Sequence, residues 1–301
     1  MIGTLGLKIK FSLIFFRFPI LSGILIGTSF IPFPPWASFF CLVPLWLFWW
    51  QNPNPKHCFW GGWVTAFVLT LIGFYWVAHT VHEFGHIPMP LALLALLLFC
   101  AIGHLHLAFA GLVWAWLVAR RRSGLNSWAP LILLPVLTAI AESYYPMIFA
   151  WNFGYTWMYG GLPFYHLAEL VGFEGLSLWS IFTNLAFLFP FLQKNRENLV
   201  SFKRWKFAAA AIVFFIAANV VGQVLVNRVP DPNREANVLV VQANIGNLEK
   251  QYAEKGWGFR NHIINRYTKL TEEGLKKMLI RRSTLPCGLR QLFPIKSMPT
   301  T

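Results

Sequence analysis

Charge is what this 301-residue chain has least of: Asp, Glu, Lys and Arg make up 12%, against about a quarter in soluble proteins. That is too little to cover a water-facing surface, and it excludes soluble α/β, all-β and disordered readings of the whole chain. Acidic residues are the scarcer sign, 11 against 25 basic, for a formal charge of +14. In a nucleic-acid binder those cations would gather on one polar domain. Here they stand between apolar segments, which points to membrane topology and to no nucleic-acid partner. The four cysteines, Cys41, Cys58, Cys100 and Cys287, form no C-x-x-C pair, so neither a disulfide framework nor a zinc knuckle is supported. What the chain does have is apolar surface: 56% hydrophobic residues, with 29 Phe and 15 Trp. Many of the rings lie near the ends of apolar runs, where they suit lipid and the interface.

A bilayer core needs about 20 apolar residues per helix, a rule that divides the chain into seven candidate spans: 11–31, 36–50, 58–79, 88–119, 127–142, 167–192 and 207–227. The second is short. The fourth is long enough to tilt, to extend into the interface or to contain a break. Lys8 and Lys10 before the first span resemble a signal peptide, but no small-x-small cleavage site follows, so an uncleaved span is expected. With the N-terminus inside, twelve basic residues before residue 228 fall in cytoplasmic connections, among them Lys56, the Arg120–Arg122 run and the Lys194–Lys206 stretch; the outer connections hold none. Positive residues stay cytoplasmic, so the asymmetry predicts a cytoplasmic N-terminus and a chain that emerges outside after Val226.

Composition changes at that exit. Residues 228–301 carry 13 basic and 6 acidic residues and one strongly apolar stretch, Val238–Val241. The segment reads as a linker, a buried strand, a polar turn and a helix-rich stretch to about Lys277. A buried parallel strand opening an α/β domain has this pattern, but about 70 residues are too few to complete one.

Several motifs compete for a function. HEFGH at 82–86 is a literal H-E-x-x-H, in which His82 and His86 could hold zinc and Glu83 activate water if the segment is helical. The rival reading is therefore a membrane zinc metalloprotease, weighed against Gly85 and Pro88, which mark a helix end, and against the simpler role of an interfacial turn. His104 and His106 lie two apart inside the fourth span, which puts them on different helix faces. Glu142, Glu169 and Glu174 are acidic residues near membrane depth, functional candidates by default, with an interfacial span end as the plain alternative. A transporter or a purely structural membrane protein is the third class; it has no reason to begin a VQANI strand outside the membrane, and no internal repeat is visible.

Three stretches together resemble the apolipoprotein N-acyltransferase family. They are FIPFPPWASFFCLVPLW, the segment from Ala141 to Asn184 beginning AESYYPMIFAWNFGYTW, and VLVVQANIGNLEK, which is similar to the opening strand of that family's nitrilase-like domain. The resemblance covers about residues 10–277. It implies an all-α polytopic membrane domain of about seven spans over 1–227, then at 228–277 the start of an α/β nitrilase-like (αββα) domain, left incomplete. It also implies a bacterial inner-membrane location with the C-terminal segment periplasmic. Glu142, Trp151, Asn152 and Tyr155 become candidates for lipid and substrate access, and Gln242, Asn244 and Lys250 for the motif that opens the nitrilase-like domain.

The chemistry implied is acyl transfer through a Glu/Lys/Cys triad, with no cofactor. The cysteine takes an acyl chain from a phospholipid, and the α-amine of a diacylglyceryl-modified lipoprotein attacks the thioester. None of the three groups can be placed in this chain. The glutamate belongs to a W-P-E motif after the first helix, yet residues 278–301 hold four basic residues, no carboxylate and no W-P-E, and Cys287 has no triad around it. LPCGLRQLFP, Leu285 to Pro294, can be encoded so that a shifted frame reads ALWPETAFP. The expectation is a frameshift between about Lys277 and Leu285 that leaves an out-of-frame basic tail at 278–301 and an inactive chain, with the lost glutamate straddling the Leu289 and Arg290 codons.

Overall fold

The computed structural model describes residues 15–30, 32–120, 128–149, 151–192, 205–228, 239–254, 256 and 258–283. Two compact units divide the chain: Met1–His82 with His86–Pro230, and Glu83–Gly85 with Asp231–Thr301. In the first, apolar runs become helices α1 (Arg17–Gly27), α2 (Val43–Gln51), α3 (Pro55–Gly73), α4 (Trp76–Gly85), α5 (Met89–Ile102), α6 (His106–Ala119), α7 (Trp128–Tyr144), α8 (Ala168–Leu188) and α9 (Trp205–Asn227). Short 3-10 helices at Pro35–Phe39, Phe153–Gly161, Pro163–Leu167 and Phe189–Phe191 fill the turns. Proline starts several elements, where its missing N–H costs nothing; at α3 the Asn54 side chain also caps Lys56 N–H at 2.9 Å.

Small residues bring the backbones together. A side chain on Gly62 would overlap the Leu107 carbonyl, and one on Gly111 would sit 2.6 Å from the Trp49 ring, so α3, α6 and α2 close into one seam. Gly23 meets Val68 in the same way between α1 and α3. Around that seam Trp46, Phe48, Trp49 and Trp114 are fully buried. Polar atoms fix the register: Thr65 donates to Pro19 O at 2.9 Å, Trp63 to Ala101 O at 2.9 Å and Trp114 to Pro130 O at 2.8 Å.

The helices are shorter and more broken than the runs that encode them. The described helix of the first run has 11 residues, and the second run splits into a 3-10 turn and the nine-residue α2. The third bends by 60° between α3 and α4. The fourth breaks at Gly103–Leu105, and the sixth kinks where Gly172 takes φ 69°, a conformation that suits glycine. Among the described residues three helices, Met89–Ala119, Pro163–Phe191 and Trp205–Asn227, are long and apolar enough to cross a membrane, or four with the bent pair. The chain is a helical membrane protein.

In the second unit lie α10 (Asn247–Glu254) and α11 (Phe259–Ser283). Leu239 rests against Gly274 of α11. The strand expected at Val238–Val241 is not formed among the described residues. Leu239–Gly246 forms no regular element, Asn244 turns left-handed at φ 47°, and Val240 is 83% exposed, because a strand without a neighbour has nothing to satisfy its backbone groups. Val238, Cys287, the Leu285–Pro294 segment, and Lys8, Lys10, Arg121, Arg122, Lys194, Arg196, Lys203 and Arg204 of the charge count lie outside the described residues.

Candidate functional site

Glu142 stands three residues from the start of the Tyr145 turn that ends α7, and is only 7% exposed. Its carboxylate accepts from Phe153 N–H, at 3.4 Å to each oxygen, and from the Ser177 hydroxyl of α8. Ser177 in turn accepts from Gly154 N–H at 2.8 Å. A side chain on Gly154 would overlap the Phe173 carbonyl, so only glycine lets the loop lie this close to α8. One carboxylate and one hydroxyl therefore hold the loop onset between α7 and α8.

Downstream, Trp157 donates to Ser180 at 2.6 Å and its ring is fully buried. The loop is thus pinned from Phe153 to Trp157, while Trp151 and Tyr155 stay half-buried at its edge. Trp151 packs on Phe30 at 4.8 Å and Phe153 at 5.2 Å, and Tyr155 on Phe173 at 4.8 Å. The Asn152 side-chain oxygen is buried with no hydrogen-bond donor on it. A Glu142→Gln variant, which keeps an acceptor for Phe153 and a donor toward Ser177, is expected to melt near the parent. Glu142→Ala leaves buried partners unmet and should lose about 1–3 kcal/mol, with faster proteolysis in 151–161; thermal scans and limited proteolysis of the purified chain in detergent check this.

Residues expected on different faces come together. His104 and His106 both face Trp151, at 6.1 Å between ring centroids. The helical spacing that would separate them is absent, since the helix is interrupted at Gly103–Leu105. The zinc geometry of HEFGH does not form: α4 ends at Gly85, and His86 turns left-handed at φ 52°, so His82 and His86 do not share a helical face. His82 Nδ1 instead pairs with Ile87 O at 2.7 Å, and among the described residues no three of His, Cys, Asp and Glu gather as metal ligands. Gln242, Asn244 and Lys250 lie exposed in the second unit, Asn244 at φ 47°.

The polar residues of α8 are absent from the sequence-based candidates. Ser177, Ser180 and Asn184 recur at spacings of three and four along an apolar run, which places them on one helical face. Asn184 accepts from Leu42 N–H at 2.7 Å and donates to Ser38 O at 2.8 Å and Ser180 O at 2.7 Å. It ties the Pro/aromatic hairpin to the helix that carries the loop.

The model of the apolipoprotein N-acyltransferase N-terminal domain matches residues 22–186, more than half of the chain and all of the geometry above from Ser22 to Asn184. The chain belongs to the apolipoprotein N-acyltransferase family. An apolipoprotein N-acyltransferase from Bdellovibrio bacteriovorus is 42% identical over 267 residues, 87% of this chain and 47% of that protein. Proteins of the same name from Coxiella burnetii and Shewanella oneidensis are 26% and 24% identical over 75% and 76% of this chain, and 45% and 42% of their own lengths. The chain spans about half the length of the apolipoprotein N-acyltransferases it matches. The VQANI segment lies beyond the family model's match, and the anchored loop at 151–157 lies within it.

Proposed function

We propose that this chain is the membrane half of an enzyme that moves an acyl chain from a phospholipid to the N-terminal diacylglyceryl-cysteine of lipoproteins. The observation that carries the reading is the 42% identity across 87% of the chain to a protein of that name. In this reading residues 1–227 form seven spans in the bacterial inner membrane with the N-terminus cytoplasmic. The shorter apolar helices Arg17–Gly27 and Trp128–Tyr144, the 3-10 turn Pro35–Phe39 with α2 and the bent α3–α4 pair supply the four spans beyond the three long ones. Residues 228–277 begin a periplasmic nitrilase-like domain whose first motif includes Gln242, Asn244 and Lys250.

Within that arrangement Trp151, Asn152 and Tyr155 shape the lipid's way to the catalytic groups. Support comes from their place at the rim of a loop locked by Glu142 and Ser177 and from the unpartnered buried oxygen of Asn152, which can accept a hydrogen bond from a substrate. Residues 1–301 by themselves carry out no transfer in this reading, because no W-P-E follows VQANI and no thioester forms without an activated cysteine.

The test is to sequence the gene across codons 275–295 and several hundred bases onward, and to assay acyl transfer to a diacylglyceryl-modified lipopeptide in proteoliposomes. The expected DNA reads W-P-E in a shifted frame, followed by the Lys and Cys of the triad. The 301-residue chain should give no product and the frame-restored protein should give it, slowed about tenfold or more by Asn152→Ala. A stop after Thr301 with no such frame downstream would overturn the reading for this gene.

A further inference from the structure

Helix α11 carries seven Lys and Arg against two Glu in its 25 residues, and its apolar side is only half covered. Ile263, Leu270 and Gly274 are partly buried, the last against Leu239. Next to them around the helix, Ile264, Tyr267 and Leu275 are 52%, 41% and 48% exposed. At 3.6 residues per turn Ile264, Tyr267, Thr271 and Leu275 fall within about 80° of one another. Single exposed apolar residues are ordinary, whereas three in line form a contact face.

Charge decides what fits that face. Arg260 is exposed and stands one turn before Ile264, so it lies on the line of the stripe itself. Arg266, Lys269, Lys276 and Lys277 are exposed on the rest of the helix, with Glu272 and Glu273 among them. An arginine in line with apolar side chains suits a layer where anionic and apolar groups adjoin: the aliphatic and ring carbons enter the acyl boundary, and the guanidinium pairs with phosphate. A second copy of the helix would bring like cations together instead. Reach favours the same surface. The membrane-crossing helix α9 ends at Asn227, and the eleven residues 228–238 join it to Leu239, a span of at most about 40 Å. So tethered, α11 meets its own bilayer at high effective concentration.

We propose that the Ile264–Tyr267–Leu275 face of α11 docks on the anionic phospholipid surface of the bilayer that holds α9, with Arg260 and the neighbouring cations supplying the attraction. Each Lys or Arg near an anionic leaflet adds to such binding, and salt weakens it. The contact is with the lipid surface as a whole and involves no reacting lipid. It goes beyond acyl transfer and does not depend on it.

The experiment reads the depth of a nitroxide on the 301-residue chain. Cys41, Cys58 and Cys100 are buried, so in a Cys287→Ser background a thiol-reactive label reports on one added cysteine at a time: Ile264→Cys or Leu275→Cys on the stripe, and Lys269→Cys on the polar side. The chain is placed in nanodiscs of phosphatidylcholine alone and of phosphatidylcholine with an equal part of phosphatidylglycerol, and collisions with oxygen and with an aqueous nickel chelate are measured. In the mixed nanodiscs the oxygen-to-nickel ratio at 264 and 275 should rise several-fold above that at 269, and should fall back in molar salt. In phosphatidylcholine alone the three sites should stay close together. Arg260→Gln with Arg266→Gln should remove most of the rise. Equal ratios at the three sites in the mixed nanodiscs would overturn the proposal, and so would a rise of the same size in both lipids, which needs no anionic surface. A stripe shielded from both reagents alike in either lipid would mean that a second copy covers it, and also overturns the proposal. If the double variant does not fold, the lipid comparison on the labelled parent decides. No readout involves acyl transfer, so failure here leaves the proposed function standing, and a failed transfer assay leaves this surface standing.

Discussion

Gly222→Val is expected to release α9 from the rest of the membrane domain and to cost about 3 kcal/mol or more, the upper end for overpacking a tight core. A side chain at this position would overlap the Pro163 carbonyl and crowd Phe164 N. The obstacle is backbone, which cannot turn aside as a flexible side chain can. Moving α9 away would also break the bond from Phe164 N–H to Asn219 Oδ1, 3.1 Å, and withdraw Phe215 from Trp157, Phe164 and Trp179. A domain of this size loses about 2–4 °C per kcal/mol, so the apparent melting temperature in detergent should fall by about 6–12 °C. Val220→Leu, two residues away and 62% exposed, should leave it unchanged. A Gly222→Val protein that melts with the parent would show that α9 is not held at this crossing.

Asn184→Ala is the second large effect. Its side chain meets Leu42 N, Ser38 O and Ser180 O, all in a fully buried place. Alanine leaves the Leu42 donor bare, at about 1–3 kcal/mol, and leaves the Ser38 carbonyl with only the weak Cys41 Sγ–H at 3.7 Å, so the loss should be about 2–4 kcal/mol in all. Asn184→Asp keeps the acceptor for Leu42 but cannot donate to Ser38 and carries a charge into the interior, so it should be no better than alanine. Asn184→Gln reaches the same atoms with a longer arm and should recover part of the loss. Thermal scans of the three variants give the order Gln above Ala and Asp; alanine at the parent temperature would mean that the hairpin and α8 are held by apolar packing alone.

Hydropathy made most of the helical segments legible, because a run such as Met89–Ile102 can only be helical in lipid, where backbone groups must pair within the segment. It overstated their continuity. Gly103 and Gly172 look like ordinary small residues inside apolar runs, and that they mark breaks depends on neighbours far along the chain. The Glu142 loop was visible as a carboxylate followed by Pro and Trp. The partners that hold it, Ser177 and Gly154, were not, since a serine inside an apolar run reads as filler. Asn184 was missed for the same reason, although its spacing from Ser177 and Ser180 puts all three on one face. The His pair was misread because face assignment assumes an unbroken helix. The VQANI strand shows the opposite limit: its pattern encodes a sheet position, but a strand exists only beside another strand.

The interruption at Gly103–Leu105 also bears on bilayer thickness. Met89–Ala119 has 31 residues, about 46 Å of helix at 1.5 Å per residue. The hydrocarbon core is about 30 Å thick, and a straight rod of that length would have to lean roughly 50°, beyond the usual 0–40° range. Two halves of 14 residues each are about 21 Å apiece and can take separate inclinations. The lower half, His106–Ala119, lies along α3, whose 19 residues make about 28 Å and match one membrane thickness. The lower half alone is about 9 Å short of that core, so the break and the adjoining turns of the upper half complete the crossing, and the outer turns of the upper half, with Leu91 and Leu94 turned outward, exceed it. The leaflet around those outer turns must therefore thicken or the segment must lie over, and lipids there sit in a different setting from those around the rest of the bundle.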